Sequence, residues 1–243
     1  MILSTYRNDC IEVMKLLKGN NVKVNHIITD PPYNISQDNN FSTMKSANRQ
    51  GVDFGNWDKN YDVTEWLNYA YPLLDKDGSM VIFCSYRYIT TIIDKIETLG
   101  GVVKDVMVWQ KTNPMPRNRD RRYVQDMEFM IWAVKSNKSK WTFNRSNDMP
   151  YVRGFFQTPT LLGKERTKHP TQKPLALMKE IVKIHTNEDD LILDLFMGSG
   201  STGVASIALG RNFIGIEREQ EYYSIAIDRL NGIKNEPFGN SLY

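Results

Sequence analysis

Cysteine is scarce in this chain of 243 residues, which has only Cys10 and Cys84. Two cysteines cannot build a disulfide framework, and neither has a partner at metal-ligand spacing, so no metal site is expected and a reducing compartment is the simpler setting. Long apolar runs are lacking too. The longest, Met80 to Cys84, is far short of the ~20 residues that a membrane span needs. The start, Met1 to Asp9, lacks the basic opening and long apolar stretch of a signal peptide. These absences predict a soluble, cytoplasmic protein without a membrane partner. Internal repeats and low-complexity tracts are also missing. Charge of one sign is short: 31 Lys and Arg against 28 Asp and Glu leave +3, too little on its own to imply nucleic acid or a membrane surface. What remains is ordinary globular material, 41% hydrophobic and 24% charged, which excludes wholesale disorder. The length suits a single domain over residues 1–243.

Four short apolar runs end on an acid or a small polar residue: Val24 to Thr29 before Asp30, Met80 to Cys84 before Ser85, Leu191 to Leu193 before Asp194, and Phe213 to Ile216 before Glu217. The turn signals around them favour buried parallel strands over helix. Helical spacing alternates with these runs over Cys10 to Lys18, Thr64 to Leu74, Leu175 to His185 and Glu219 to Leu230. The alternation predicts an α/β fold, a doubly wound, mostly parallel sheet with helices on both faces. Ligands of such sheets sit at the carboxyl ends of the strands, where Asp30, Asp194 and Glu217 fall. Two stretches break the pattern. Residues 34–56 are polar and aperiodic, as a functional or mobile loop would be. Asn113 to Tyr123 is a proline-stiffened basic segment.

Gly198, Gly200 and Gly203 form G-x-G-x-x-G between a strand and a helix, a turn that lets a ligand approach the backbone and the helix amides. Glu217 ends the next strand, nineteen residues beyond Gly198, where a carboxylate can take both ribose hydroxyls. A dinucleotide dehydrogenase would share this pattern. Only 40 residues follow Gly203, however, and Asp194 suits a cationic amino group better than a pyrophosphate. A nucleoside that carries an amino acid, S-adenosyl-L-methionine, is the ligand expected.

The second motif is Asp30-Pro31-Pro32-Tyr33. Consecutive prolines fix φ and remove N–H donors, leaving a rigid display of carbonyl acceptors beside a carboxylate. Such a site suits an exocyclic amine on a planar base. Asp30 and the Pro31 carbonyl would accept its two N–H groups, and Tyr33 would stack on a base that has left the duplex.

Together these motifs resemble the S-adenosylmethionine-dependent DNA amino-methyltransferases. Asp30 to Tyr33 is similar to their catalytic motif, and Asp194-Leu-Phe-Met-Gly-Ser-Gly200 to their cofactor motif, 164 residues downstream, an order that resembles the β class. His169-Pro-Thr-Gln-Lys-Pro174 resembles the segment before the cofactor strand, and Tyr6 to Cys10 the strand end that meets the cofactor adenine. Leu195 departs from the family's usual Pro. The resemblance implies a Rossmann-like sheet of seven strands with one antiparallel edge and a small target-recognition insertion. It also implies cofactor contacts from Asp9, Cys10, Asp30, His169, Thr171, Asp194, Phe196, Gly198, Ser199, Gly200, Thr202 and Glu217. The leading Asp of the catalytic motif implies N6 of adenine as the target. N4 of cytosine, or less directly an amine on RNA or protein, stays open.

The small net charge hides an uneven distribution. From Lys104 to Lys173 there are 15 basic and 6 acidic residues, a balance of +9, against 16 and 22, or −6, elsewhere. That is the footprint expected of phosphate binding. The DNA-recognition region is expected over 113–168. Asn113, Arg117 and Arg119 would read base edges, Arg121 and Arg122 would hold phosphates, and 34–56 would be a lid over the flipped base. The region is small, so a homodimer or a short target would compensate. A separate restriction nuclease is the remaining partner to consider, since no nuclease motif stands in the chain.

Overall fold

A computed structural model describes residues 2–34, 61–115, 120–121, 123–161 and 163–234. Its centre is one sheet, in the order β1-β8-β7-β2-β3-β5-β4-β6. The strands are β1 (Leu3–Arg7), β2 (Val24–Thr29), β3 (Leu74–Cys84), β4 (Val102–Lys111), β5 (Met127–Val134), β6 (Phe155–Thr158), β7 (Leu191–Asp194) and β8 (Asn212–Glu217). Among the described residues there are thus eight strands rather than seven, because β6 adds a parallel edge to β4. The antiparallel strand is not at an edge either. It is β5, between β3 and β4 and opposed to both.

The helices are α1 (Cys10–Gly19), α2 (Leu67–Leu73), α3 (Ile89–Thr98), α4 (Leu175–His185), α5 (Ser201–Ala208) and α6 (Gln220–Lys234). Side chains alternate across a strand, so each strand feeds two cores. On one face Ile27, Met80, Ile82, Ile131 and Leu193 pack with Met14, Leu17, Leu67 and Ile92 of α1 to α3. On the other, Ile28, Val81, Phe83, Met130 and Ile192 pack with Leu177, Ile181, Ala205 and Leu230 of α4 to α6. Both faces of the central strands are therefore apolar, which is why they read as continuous hydrophobic runs.

Two element boundaries differ from the sequence expectation. The helix expected from Thr64 begins at Leu67, since the Asp62 carboxylate accepts from the Thr64 and Glu65 amides and holds that stretch as a turn. The Asp77-Gly78 pair, a dipeptide with the chemistry of a turn, lies inside β3 rather than before it. Here the ladder slips from Val24 opposite Leu74 to His26 opposite Ser79, and a bulge absorbs the extra residues.

The chain leaves β7 towards β8 on one side and β2 towards β3 on the other, so the strand order reverses between β7 and β2. That crevice, at the carboxyl ends, is where sheets of this kind bind ligands. Asp194 ends β7 and Asp30 follows β2, and the Thr29 hydroxyl donates to Asp194 across the gap at 2.8 Å. Because β5 runs the other way, its beginning rather than its end reaches this edge and brings Glu128 to it.

Candidate active site

A cleft open to solvent lies over the reversal point. Its wall includes Asp9, Cys10, Asp30, Pro32, His169, Thr171, Asp194, Phe196, Gly198, Ser199, Thr202 and Glu217. The structure thus gathers most of the expected site residues around one space. Pro31 is buried and stands outside that lining, as does Gly200, which with φ of 79° begins α5 with its Cα against Ala226.

Each wall residue is held by a local cause. Asp9 caps α1, accepting from the Ile11 amide at 2.9 Å. Cys10 is buried beside it, and that burial pushes its thiol up to about 12, so it stays an inert thiol. Asp194 is 3% exposed and accepts from Thr29 and from the Phe196 amide at 3.2 Å. Burial lifts its pKa to about 6 even against those hydrogen bonds. Glu217 accepts from the Gly198 amide at 2.8 Å and the Glu219 amide at 2.8 Å, and burial raises its pKa as well. Glu217 therefore ties the glycine turn to the end of β8. His169 lies edge-on to Tyr222, with ring centroids 4.3 Å apart. Burial, aided by Lys173 and Arg229, lowers its pKa to about 4, which keeps the imidazole neutral. A Cβ on Gly198 would come within 2.8 Å of His169 Nε2, so glycine is required there for contact as well as for its φ of 52°.

The proline turn is less open than its sequence suggests. The Tyr33 hydroxyl donates to Asp30 Oδ1 at 2.7 Å, and the Lys173 ammonium donates to Oδ2. Lys173 also lies 3.2 Å from Glu128, which pairs with Lys111 at 2.6 Å. Burial raises the Asp30 pKa; Lys173 opposes that and Glu128 adds to it. Burial works against charge on Lys173, but Asp30 and Glu128 overcome it and hold its pKa up. Lys173, Glu128 and Lys111 are site residues that the sequence motifs do not single out. Lys173 lies within the His169 to Pro174 segment, where a charged residue just before a proline is the available signal. Glu128 carries none, because its place depends on β5 running backwards.

The expected DNA contacts are only partly placed. The Asn113 side chain accepts from the Thr160 amide and hydroxyl, which joins the ends of β4 and β6. Arg121 is exposed. Arg117, Arg119 and Arg122 lie outside the described residues, as does the 34–56 loop apart from Asn34. The Asn34 amide group donates to the Tyr61 carbonyl at 2.6 Å, and its oxygen accepts from the Tyr61 amide at 2.8 Å, so the flanks of that segment meet beside Asp30. No helix among the described residues is long and apolar enough to cross a membrane, and none of their His, Cys, Asp and Glu form a metal-binding group.

The family model for DNA methylases, which spans N6 and N4 methyltransferases, matches residues 24–228. The chain belongs to that family. This DNA methylase is 35% identical to the type II methyltransferase M2.MboI of Moraxella bovis, over 95% of this chain and 90% of that protein. It is 34% identical to the type II methyltransferase M.HinfI of Haemophilus influenzae, over 95% of this chain and 69% of that one. Among solved structures, the M1.HpyAVI–SAM complex matches with a TM-score of 0.78 and 48% identity, covering 95% of this DNA methylase and all of that chain. The cytosine-N4-specific PvuII DNA methyltransferase has a TM-score of 0.69 at 18% identity, covering 93% of this chain and 85% of that chain, a likeness of fold.

Proposed function

We propose that this DNA methylase transfers a methyl group from S-adenosylmethionine to N6 of adenine in DNA. The observation that carries the reading is Asp30 at the strand-order reversal, opening into the same cleft as the glycine turn and Glu217. The charge of the cleft supports the cofactor. Asp9, Asp30, Asp194, Glu217 and Glu219 line it against Lys173 and Arg218, with His169 neutral. Such a wall repels a pyrophosphate and suits a ligand with a sulfonium and an ammonium group.

When bound, S-adenosylmethionine supplies a methyl that an amine lone pair can take while the S–C pair stays on sulfur. Asp9 and the Glu217 edge would hold its nucleoside, and Asp194 its amino group. Asp30 and the Pro31 carbonyl would accept the N–H bonds of the target amine and aim its lone pair into the cleft. Tyr33 anchors Asp30 and offers its ring to the base. After transfer the nitrogen carries a positive charge and loses a proton to Asp30, whose raised pKa suits a transient acceptor. Of residues 113–168, those at the Asp30 edge of the sheet would face the DNA. The type II naming of the two relatives supports pairing with a separate nuclease.

Incubating the protein with unmethylated DNA and methyl-labelled cofactor, followed by nucleoside analysis, tests the reading. Label in N6-methyl-2′-deoxyadenosine is expected. Label in N4-methylcytosine instead would move the target, and label only in RNA or protein would overturn the DNA assignment.

A further inference from the structure

The Lys173 ammonium sits where the proposed mechanism places the amine of the target base. It donates to Asp30 Oδ2, lies 5.5 Å from the Tyr33 ring centroid and 4.9 Å from that of Phe83, and its side chain is only 7% exposed. An N–H donor among an acid and two aromatic faces describes the lysine head and the exocyclic amine of a base equally well. The two nitrogens cannot occupy that seat between the rings at once. A second acceptor is already in place, since Glu128 Oε2 is 3.2 Å from the same ammonium.

We propose that Lys173 holds the seat of the target amine on Asp30 and yields it by shifting fully onto Glu128 when the base enters; this rests on the amino-methyltransferase reading. The movement is confined to the side chain. The Lys173 carbonyl is fixed by the Ser201 hydroxyl at 2.8 Å, at the start of α5, and Pro174 stiffens the next residue. The four-carbon stem has the freedom to swing between two carboxylates that flank it. Charge stays balanced throughout. Asp30 and Glu128 face Lys173 and Lys111 before the base arrives, and a neutral amine adds nothing to that balance. Before the base enters, the lysine keeps Asp30 from being a buried, unpaired carboxylate, a costly state. It also ties readiness of the amine seat to the glycine turn through Ser201. Lys173 is thus a positioning residue, acting through Asp30.

The test uses steady-state methyl transfer by Glu128→Gln, Lys173→Met and the double variant, with cofactor affinity measured by calorimetry as the check on folding. Glutamine can still accept an N–H from a base, but it carries no charge to draw the ammonium off Asp30. The proposal therefore expects E128Q to lose at least tenfold in kcat with cofactor affinity unchanged, and Glu128→Asp to recover part of the loss. Activity of E128Q close to wild type would overturn it. In the Lys173→Met background the identity of residue 128 should cease to matter; losses that simply multiply would overturn the proposal and make Glu128 a direct contact of the base. Lys173→Met should also move the acid limb of kcat/KM, which reports the free enzyme, to higher pH, because Asp30 loses its counter-ion there, whereas Lys173→Arg should keep it in place. If K173M fails to bind cofactor, the E128Q and E128D pair decides alone. Failure of the wild type to methylate DNA would instead overturn the functional reading itself.

Discussion

Asp30 and Asp194 end neighbouring strands, yet their surroundings give them different work. Asp30 faces a lysine and a tyrosine at the mouth of the amine seat, so its loss should fall on the chemical step. Asp30→Ala is expected to lower kcat by about 10²–10³-fold, the usual cost of a well-placed polar group at a reacting centre. An Asp30→Ala enzyme with full turnover would sink the mechanism. Asp194 lies deeper, and its pKa of about 6 makes pH its signature. The sign differs between two measurements. An acid whose folded pKa is raised holds its proton more tightly when folded, so its contribution to stability is greatest at low pH and is lost as pH rises from about 4 to 6. Affinity for a cationic ligand runs the other way, because the ionised carboxylate attracts it. Cofactor affinity should therefore climb by about tenfold per unit as pH rises towards 6 and level off above, a slope that Asp194→Asn should flatten. Titration calorimetry between pH 5 and 8 reads this directly, and equal slopes in both proteins would remove Asp194 from the cofactor's charge contacts.

At the level of elements, strands and helices were legible in the sequence wherever burial on both faces or one apolar stripe dictated them. β2, β7, α1 and α4 lie where those runs and periods put them, to within a residue. β4 and β5 were not legible, because charged residues interrupt or flank their apolar runs within a segment whose basic character suggests DNA contact. Only non-local pairing reveals β5 as an interior strand, and with it Glu128 as a site residue. Likewise Asp77-Gly78 has the chemistry of a turn, but its role is set by the neighbouring strand. A Cβ on Gly78 would lie 2.6 Å from the Asn25 carbonyl oxygen and 2.7 Å from Leu74 Cδ1. Gly78→Ala should then cost about 1–3 kcal/mol through forced displacement of the bulge, read as a lower midpoint in urea unfolding. Activity below the transition should persist, because the bulge lies at the end of β3 away from Asp30. Gly19→Ala is the matched control. Its Cβ meets nothing within 4 Å, and unchanged or slightly raised stability is expected at that helix end.

Across the whole molecule, the sheet divides a basic segment that looked continuous in sequence. Lys111 and Lys173 belong to the edge that carries Asp30, and Arg121 lies in the connection from β4 to β5, which leaves and rejoins the sheet there. β5 then runs from Glu128 at that edge to Lys135, about 23 Å away at roughly 3.3 Å per residue. At the far edge the Ser139 hydroxyl donates to the Lys76 carbonyl at 2.6 Å and the Lys140 amide to Asp77 at 2.8 Å, which fixes Lys138 and Lys140 beside the beginning of β3. Lys135 donates to the Tyr71 carbonyl there, and Lys104, near the start of β4, lies 4.0 Å from the Trp141 ring centroid. A separation of that size exceeds the screening length of ~8 Å at physiological salt, so far-edge charges contribute little to a duplex held over Asp30. The +9 of the segment therefore overstates the phosphate-binding footprint. Replacing Lys138 and Lys140 together by Ala should leave both DNA affinity and its salt dependence unchanged. Arg121→Ala should weaken binding to all sequences and reduce the slope of log K against log salt by about 1, as expected when one phosphate is no longer neutralised. Fluorescence anisotropy with a short duplex from 50 to 200 mM salt distinguishes the two edges. A lower slope in the Lys138 and Lys140 variant would mean that DNA reaches around the sheet to its far side.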